Sequence, residues 1–542
     1  MVNFRVLPVL SCLVLFSLFS GCDSTGSSGS PVSNASGINT EPDSQKSEET
    51  DSGADETTTA TPAPVERPPK PILEGWEKPA VAFILSGEQN GYLEPCGCSD
   101  TQSGGMARRA DLFAQLKSKD WPLTALDVGG FLRHSRRQSQ LKMDAIFNSL
   151  TDLEYAATGI GPSDIAIGST KLLERGMMEP GSEDQMMPQL VSANVTLFND
   201  PELGAIHRTR VYEVNGVKIG VTGVIGESVQ QSMLQSSGEE VQVLPVEETL
   251  PLAVEELKAA EADLYILLSF SETEESQKLA EQYELFDVVL TARSAEDPDP
   301  RAIPIGDSGR LLVKVGQKGK NVGVLGYYPD EEEKLRWELI DLDNRRFESH
   351  PSMAVHMQSY QDNIAFEDLA KTEPTMTHSS GNTFIGARSC RQCHSKAYAK
   401  WESTKHSHAF DTLKKGHEGD GDSWIPRVDD PECLSCHVVG WEPQEYIRFE
   451  SGFINEELTP DLKGQQCENC HGPASQHVKM EAQWLIDRDA VDKSLVDAAR
   501  KELHLDVKTA EKQVCSKCHD HENSPKFNFE EYWEKVKHPY RD

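Results

Sequence analysis

The chain is 542 residues long, enough for two or three domains with sizeable cores, and its formal net charge is −35. Such an acidic balance argues against nucleic acid as a partner and predicts a soluble, acidic surface. Net charge does not indicate a fold. The order of apolar segments and motifs along the chain does.

Residues 1–22 are predicted to be an export signal of the lipoprotein type. One Arg precedes an apolar run from Val6 to Phe19, which is too short and too early for an ordinary membrane span. The run ends in LFSGC, which resembles a bacterial lipobox with Cys22 as the lipidated residue. Simple secretion and an uncleaved anchor are the alternatives.

Residues 23–78 are predicted to be a disordered tether. From residue 23 to 70 the chain consists mainly of Ser, Thr, Gly, Pro, Asp and Glu, with almost no large apolar residues. Such a stretch cannot bury enough apolar surface to offset its ordering entropy. A tether directly after Cys22 fits a lipid anchor.

Residues 79–345 are predicted to form an α/β sandwich, because apolar strands alternate with amphipathic helices. RADLFAQLK, MDAIFNSL and SQKLAEQY have the helical pattern. Asn215-Gly216, between two alternating runs, predicts a β-hairpin. The predicted buried strands are VAFIL (81–85), PLTALDV (122–128), LVSANV (190–195), ADLYILLSF (262–270) and FDVVLTA (286–292).

GGMARRADLFAQLK, LTALDVGGF and LVSANV…RVYEVNGVKIGVTGVIG resemble the metallophosphoesterase domain of 5′-nucleotidases. That family binds two metals through Asp, His and Asn at strand ends, and a dinuclear site needs several such ligands converging on the metal. Between residues 79 and 345 this chain keeps only His134 and His207 as histidines. The resemblance therefore implies the fold as a scaffold or binding module, without phosphoesterase activity. The family's ligand positions correspond here to Glu88-Gln89-Asn90, Gly130, Ile160-Gly161-Pro162, Phe270 and Ala292-Arg293-Ser294-Ala295.

GYLEPCGCSDTQSGG, residues 91–105, carries Cys96 and Cys98 in a Gly-rich loop after the first strand. In an oxidising compartment they could form a disulfide, although a C-x-C ring is tight and relatively easy to reduce. A soft-metal site would need further ligands, which the domain scarcely offers. We expect a disulfide or thiol pair with a structural or redox role. A redox pair facing the C-terminal domain is the further alternative.

Residues 346–383 are polar and are predicted to be a linker to a C-terminal domain, residues 384–542. That domain holds eight of the chain's twelve cysteines, in four C-x-x-C-H motifs. C-x-x-C-H attaches c-type haem through two thioethers and supplies the proximal His, whereas structural zinc would not require that His. We predict four covalent haem c groups. The attachment residues are Cys390, Cys393, Cys433, Cys436, Cys467, Cys470, Cys515 and Cys518, and the proximal ligands are His394, His437, His471 and His519.

The remaining histidines supply the sixth ligands that an electron-carrying haem usually has. We predict His406, His477 and His538 as distal ligands, with His408 as a neighbour that could replace His406. Short helices are expected around Lys396–Lys405 and Phe529–Val536. The other spare histidines of the segment are His417, His504 and His521.

IGARSCRQCH, DPECLSCHVVGW, GQQCENCHGPASQH and VCSKCHDHENSPKFNFEEYW, with the Trp401…His406 spacing, resemble the tetrahaem cytochrome family of the cytochrome c five-five-four type. The resemblance implies a mainly helical fold with stacked haem pairs, electron transfer to or from a redox protein, and in that family one five-coordinate haem. We expect an exported, lipid-anchored periplasmic electron carrier in a bacterium. The alternatives are a redox enzyme with one open haem, and a phosphoesterase or ligand-binding module with an attached cytochrome.

Overall fold

A computed structural model of the chain describes residues 70–95, 102–179, 186–230, 240–416, 424–489 and 491–539. All of these residues belong to one unit of the fold, Pro68–Asp542. The predicted export signal with Cys22, most of the predicted tether, and the pair Cys96 and Cys98 lie outside the described residues. The bounds of the five predicted segments and the pairing of the two loop cysteines stay predictions.

The middle of the chain alternates strands and helices. Its strands are β1 (Val81–Ser86), β2 (Leu123–Asp127), β3 (Tyr155–Thr158), β4 (Gln189–Leu190), β5 (Val195–Leu197), β6 (Arg210–Val214), β7 (Val217–Ile225), β8 (Val241–Val243), β9 (Leu264–Phe270), β10 (Val288–Thr291), β11 (Ile303–Ile305), β12 (Arg310–Lys314), β13 (Asn321–Tyr327) and β14 (Leu335–Asp341). Its helices are α1 (Met106–Lys117), α2 (Arg137–Asp152), α3 (Pro162–Ile165), α4 (Ser169–Gly176), α5 (Glu227–Gln230), α6 (Val246–Ala260) and α7 (Thr273–Gln282).

Two six-stranded sheets form the sandwich. One has the order β14-β13-β1-β2-β3-β4 and the other β11-β12-β10-β9-β7-β6. β1 to β4 are parallel neighbours, as are β7, β9, β10 and β12, so the carboxyl ends of these strands lie along one edge of each sheet. Antiparallel β13 pairs β1 in the register Phe83 with Leu325. β5 and β8 form a separate two-stranded sheet.

The apolar core lies between the two sheets, with helices outside. Along β9, Ile266 and Leu268 face the other sheet, whereas Leu267 joins a second cluster with Leu250 and Leu257 of α6. This alternation follows from the two-residue repeat of a strand and gives both faces of the second sheet an apolar cover. The predicted α/β sandwich is confirmed.

The predicted hairpin is confirmed, while one predicted strand is not continuous. Asn215 and Gly216 have φ of 51° and 79°, the positive values that a type I′ turn between β6 and β7 requires. In LVSANV, β4 ends at Leu190 and β5 begins at Val195. Between them the backbone leaves the first sheet, with the Ala193 amide donating to the Gly223 carbonyl of β7 at 2.7 Å. The side chain of Asn194 then pairs with the backbone of Ile225, accepting at 3.0 Å and donating at 2.9 Å.

The predicted linker contains α8 (Ala354–Glu367) and α9 (Leu369–Thr372). α8 buries Met357, Tyr360, Gln361 and Ile364. These positions have helical spacing, but the exposed apolar residues Val355 and Phe366 lie on other faces of α8 and obscure the repeat that would have indicated a packed helix.

The C-terminal part is mainly helical, as predicted, with short helices and a small two-stranded sheet. The helices near Lys396–Lys405 and Phe529–Val536 are both present. The elements are α10 (Ala387–Cys390), α11 (Ser395–Glu402), α12 (Ala409–Lys415), α13 (Pro431–His437), β15 (Trp441–Glu442), β16 (Ile447–Arg448), α14 (Cys467–His471), α15 (Ser475–Ile486), α16 (Lys493–Glu502), α17 (Val507–Thr509) and α18 (Phe529–Val536). Across the described ranges, no helix has the length and apolar character needed to cross a membrane.

A buried polar network ties the sandwich and α8 to the C-terminal part. Asp430 caps the first turn of α13 and is 4% exposed. Its carboxylate accepts hydrogen bonds from Gln138 Nε2 of α2 at 2.7 Å and from Gln361 Nε2 of α8 at 2.9 Å. Beside it, Lys142 of α2 pairs with Glu432. These three partner side chains all precede residue 384 in the chain. The sandwich and α8 therefore hold α13 in place.

Candidate haem-binding site

Each cysteine motif lies on a helical turn, which explains its spacing. Backbone hydrogen bonds join the His394 amide to the Cys390 carbonyl at 2.9 Å and the His519 amide to the Cys515 carbonyl at 2.8 Å. α13 and α14 carry the second and third motifs in the same way. Residues three and four apart share a helix face, so both thiols and the imidazole of a motif point to one side.

Hydrogen bonds orient the proximal histidines. Nδ1 of His437 donates to the Ala409 carbonyl at 2.6 Å, and Nδ1 of His471 donates to the Leu503 carbonyl at 2.8 Å. A carbonyl oxygen only accepts, so Nδ1 carries the proton and Nε2 keeps its lone pair. This second contact is how proteins fix a metal-binding imidazole. Nδ1 of His519 lies 3.1 Å from Ser524 Oγ.

The three predicted distal histidines each lie opposite a different motif histidine. The ring centres of His477 and His394 are 6.4 Å apart. Those of His406 and His519 are 6.1 Å apart. Those of His538 and His471 are 5.9 Å apart. The rings of the three pairs are inclined by 30°, 34° and 49°.

This spacing fits iron between the two rings. A metal–imidazole bond is about 2 Å long and the ring centre lies about 1 Å behind the nitrogen, so two imidazoles on opposite sides of one metal have centres about 6 Å apart. The donor set is also the one that haem c requires, namely two thiols and an imidazole on one turn. The residues present therefore fit the predicted cofactor.

Burial favours the neutral, metal-binding form of these rings. It lowers the pKa of His406 to about 4. Burial also lowers the pKa of His471, His477 and His519. Neutral imidazole is the form that ligates a metal, so these side chains are ready to bind at neutral pH.

His408, the named alternative to His406, lies elsewhere. Its side chain is 67% exposed, and its Nδ1 is 3.6 Å from Asp411. His417 lies outside the described residues. The geometry therefore favours His406 over His408 as the ring that faces the fourth motif.

The four motifs form a row in space. The sulfur of Cys390 in the first motif lies beside that of Cys467 in the third. Cys470 of the third motif lies near Cys515 of the fourth. Cys518 of the fourth motif lies beside Cys436 of the second. The order along the row is first, third, fourth, second, and so it differs from the order in the chain.

Residues at the third motif also hold the backbone that leads into the first motif, a role that the spacing of the motifs does not reveal. Glu468 is 2% exposed and accepts from the backbone amides of Ile385 at 2.9 Å, Gly386 at 2.7 Å and Ala474 at 2.8 Å. Gln466 Oε1 accepts from the Ala387 amide at 2.5 Å. In the sequence, the role of Glu468 is indicated only by its position between two haem cysteines, and this position does not distinguish it from a solvated Glu.

In the sandwich, several positions that correspond to metal ligands of the resembling family lie together, and one of them, Phe270, places a phenyl ring between the others. A Cβ added to Gly161 would lie 2.6 Å from Cε2 of Phe270, and one on Gly130 would lie 2.9 Å from the same atom. The Gly130 position also lies 3.2 Å from Cα of Glu88. The ring of Phe270 fills this point because the two glycines leave room for it. Within the described ranges, no group of three His, Cys, Asp or Glu side chains could hold a metal ion.

Glu88 lies beside this point of the sandwich, where Asp164 also accepts from the amides of Gly130 and Gly161. Burial raises the pKa of Glu88 to about 7, against the opposing effects of Arg293 and the Arg293 and Ser294 amides. Between about pH 4.5 and pH 7 the Glu88 carboxyl is protonated in the folded protein and ionised in the unfolded chain. The contribution of Glu88 to the free energy of unfolding is therefore complete below about pH 4.5 and is lost as the pH rises to about 7.

Glu88→Gln cannot ionise, so we expect its free energy of unfolding to rise relative to that of the native chain between pH 5 and pH 8, measured from urea midpoints. The same difference between the two proteins at pH 5 and at pH 8 would contradict this expectation.

Residues 389–472 match the family described as "Cytochrome c554 and c-prime". Over 165 residues the chain is 28% identical to cytochrome c-554 of Nitrosomonas europaea, an alignment that covers 29% of this chain and 63% of that protein. The chain thus spans less than two thirds of the length of that relative. The resemblance stated from the four motifs is confirmed.

Solved structures similar to the chain include a 5′-nucleotidase precursor from Thermus thermophilus, with 20% identity, a TM-score of 0.45, and coverage of 57% of this chain and 62% of that one. An NAD nucleotidase from Haemophilus influenzae has 17% identity, a TM-score of 0.43, and coverage of 62% of this chain and 68% of that one.

Proposed function

We propose that this chain, whose C-terminal segment is similar to cytochrome c-554, is an exported electron carrier with four covalently bound haem c groups. The observation that carries the proposal is the set of three imidazole pairs with ring centres 5.9 to 6.4 Å apart, each joining a predicted distal histidine to a motif histidine. Haem iron with two imidazole ligands cycles between ferric and ferrous forms and so carries one electron.

The chain's own residues hold and orient these groups. The cysteine pairs would attach them, and the iron would be held by His394 with His477, His471 with His538, and His519 with His406. The carbonyls of Ala409 and Leu503 fix the tautomers of His437 and His471. The row of adjacent motifs supports transfer of electrons between haems within the protein.

The proposed location is the periplasm, with a lipid on Cys22 anchoring the chain to a membrane. The export signal and the polar stretch that follows it support this proposal, and c-type haem is attached outside the bacterial cytoplasm. The partner is a redox protein. The ring of Phe270 lies where the resembling family has metal ligands, and a phenyl ring cannot ligate a metal, which argues against phosphoesterase activity.

The mass of the purified protein tests the proposal directly. We expect a gain equal to four haems, together with a pyridine haemochrome spectrum typical of thioether-linked haem. A variant with Cys467→Ala and Cys470→Ala should lose one haem and keep three, because each motif binds its own group. A native chain without covalent haem would overturn the proposed function. A dominant high-spin ferric signal that changes on adding cyanide would favour the alternative of a redox enzyme.

A further inference from the structure

One end of the row of motifs is covered by the sandwich. Besides the Asp430 network, Arg427 pairs with Glu94 of the sandwich at 2.6 Å. Glu522, three residues after the fourth motif histidine, accepts from Tyr92 Oη at 2.6 Å and pairs with Lys318. These contacts all fall beside the second and fourth motifs. A partner protein is therefore hindered from reaching that end.

The charge of the covered end is negative. Residues 429–445 contain five acidic residues and no Lys or Arg. Some of these carboxylates are matched by the sandwich: Glu432 by Lys142, and Glu445 by Arg136 at 3.7 Å. The basic side chains of the sandwich are thus used within the molecule here and are not offered to a partner.

The other end of the row, at the first motif, is basic in an otherwise acidic chain. Residues 386–405 contain five Lys and Arg and one Glu, a net +4, whereas the whole chain has −35. α11 follows the first motif directly, and none of its residues is buried. Lys396 and Lys400 are four residues apart and so share a face of α11. The basic surface consists of Arg388, Arg391, Lys396, Lys400 and Lys405, of which all but Lys400 are exposed. Arg388 lies 3.4 Å from Asp461, and that pair is itself exposed.

We propose that this basic surface is the docking site for an acidic redox protein, which exchanges electrons with the chain at the first motif. A local positive patch attracts an acidic partner even on a protein of negative net charge, because charges beyond about 8–10 Å are screened at physiological salt. Complementary charge raises association rates by about 10- to 1,000-fold at low salt. The proposal rests on the proposed function, since it requires a haem at Cys390, Cys393 and His394.

Charge reversal tests the surface with two probes. The variant combines Lys396→Glu, Lys400→Glu and Lys405→Glu. Its control combines Lys258→Glu and Lys278→Glu on the sandwich with Lys78→Glu directly before it, which changes the net charge by the same amount. Poly-L-glutamate measures binding by calorimetry. Hexacyanoferrate(III) measures electron release, in which one electron leaves a reduced haem iron and yields hexacyanoferrate(II) and a ferric haem.

We expect the variant at the basic surface to bind poly-L-glutamate at least 10-fold more weakly than the native protein and to reduce hexacyanoferrate(III) about 10-fold more slowly at low salt. The difference should vanish at high salt, and the sandwich control should match the native protein. The proposal is overturned if both variants behave alike, or if native electron release accelerates with salt, as the net charge of −35 would dictate.

Two further results separate the possible failures. Binding to phosphatidylglycerol vesicles that the variant alone loses, without binding to poly-L-glutamate, would assign the surface to a lipid and overturn the proposal. Haem is counted first on every protein. A chain with four haems and no charge effect overturns only the docking surface, whereas a chain without haem overturns the proposed function and the docking surface together.

Discussion

Replacing His406, His477 or His538 singly with Ala is expected to convert one haem from low spin to high spin. Each ring lies about 6 Å from a different motif histidine, measured between ring centres, so each removal opens a different iron. With four motifs in the chain, the change should involve about a quarter of the haem absorbance. The opened iron should bind cyanide, and added imidazole should restore the low-spin spectrum.

His408→Ala is the matched control, because this side chain lies two residues from His406 and is 67% exposed. It should leave both the ferric spectrum and the haem count unchanged. A high-spin signal in this control, with none in His406→Ala, would assign the ligand to His408 and contradict the pairing argued here. Electron paramagnetic resonance of the ferric proteins distinguishes the two results.

Phe270→Ala is expected to cost about 3–5 kcal/mol of unfolding free energy, the usual cost of removing a buried phenyl ring. Phe270 is 5% exposed and lies against Gly130 and Gly161, so the backbone around it cannot collapse easily into the space. Phe270→Leu, which keeps most of the volume, should cost less than about 1.5 kcal/mol. Chemical denaturation followed by tryptophan fluorescence measures both changes.

Phe366→Ala provides the comparison, since this ring is 89% exposed on α8. It should change the unfolding free energy by less than about 0.5 kcal/mol. The same proteins can be assayed with a nucleotide and added manganese, and none is expected to hydrolyse it. Manganese-dependent turnover by the native protein would contradict the loss of metal binding expected here. A Phe270→Ala variant as stable as Phe366→Ala would show that the Phe270 ring does not support the packing at Gly130 and Gly161.

The haem motifs could be predicted because their chemistry is local. Two cysteines and a histidine on one helical turn determine a site within five residues. The opposite ligand is different, because the sequence contains no information on which ring faces which. His406 follows the first motif histidine by 12 residues, yet its ring lies beside His519 of the fourth motif.

The sandwich shows the same limit. Apolar runs predicted most of its buried strands, since a strand between layers needs such a run. The break between β4 and β5 could not be predicted, because the hydrogen bonds made there go to Gly223 and Ile225 of β7 in the other sheet. α8 could not be predicted either, as its buried Tyr360 and Gln361 have partners in distant segments: Tyr360 Oη accepts from Gln138 Nε2 at 2.9 Å, and Gln361 donates to Asp430.

The Asp430 network bears on how freely the two parts of the chain can be separated. A chain shortened to begin at residue 384 would retain all four motifs. It would lose Gln138, Lys142 and Gln361, the upstream side chains that bind Asp430 and Glu432. A buried carboxylate that loses its hydrogen-bond donors lowers the free energy of unfolding. The cytochrome-like segment is therefore not an interchangeable module, and a change at Gln138 or Lys142 requires a compensating change beside the second motif.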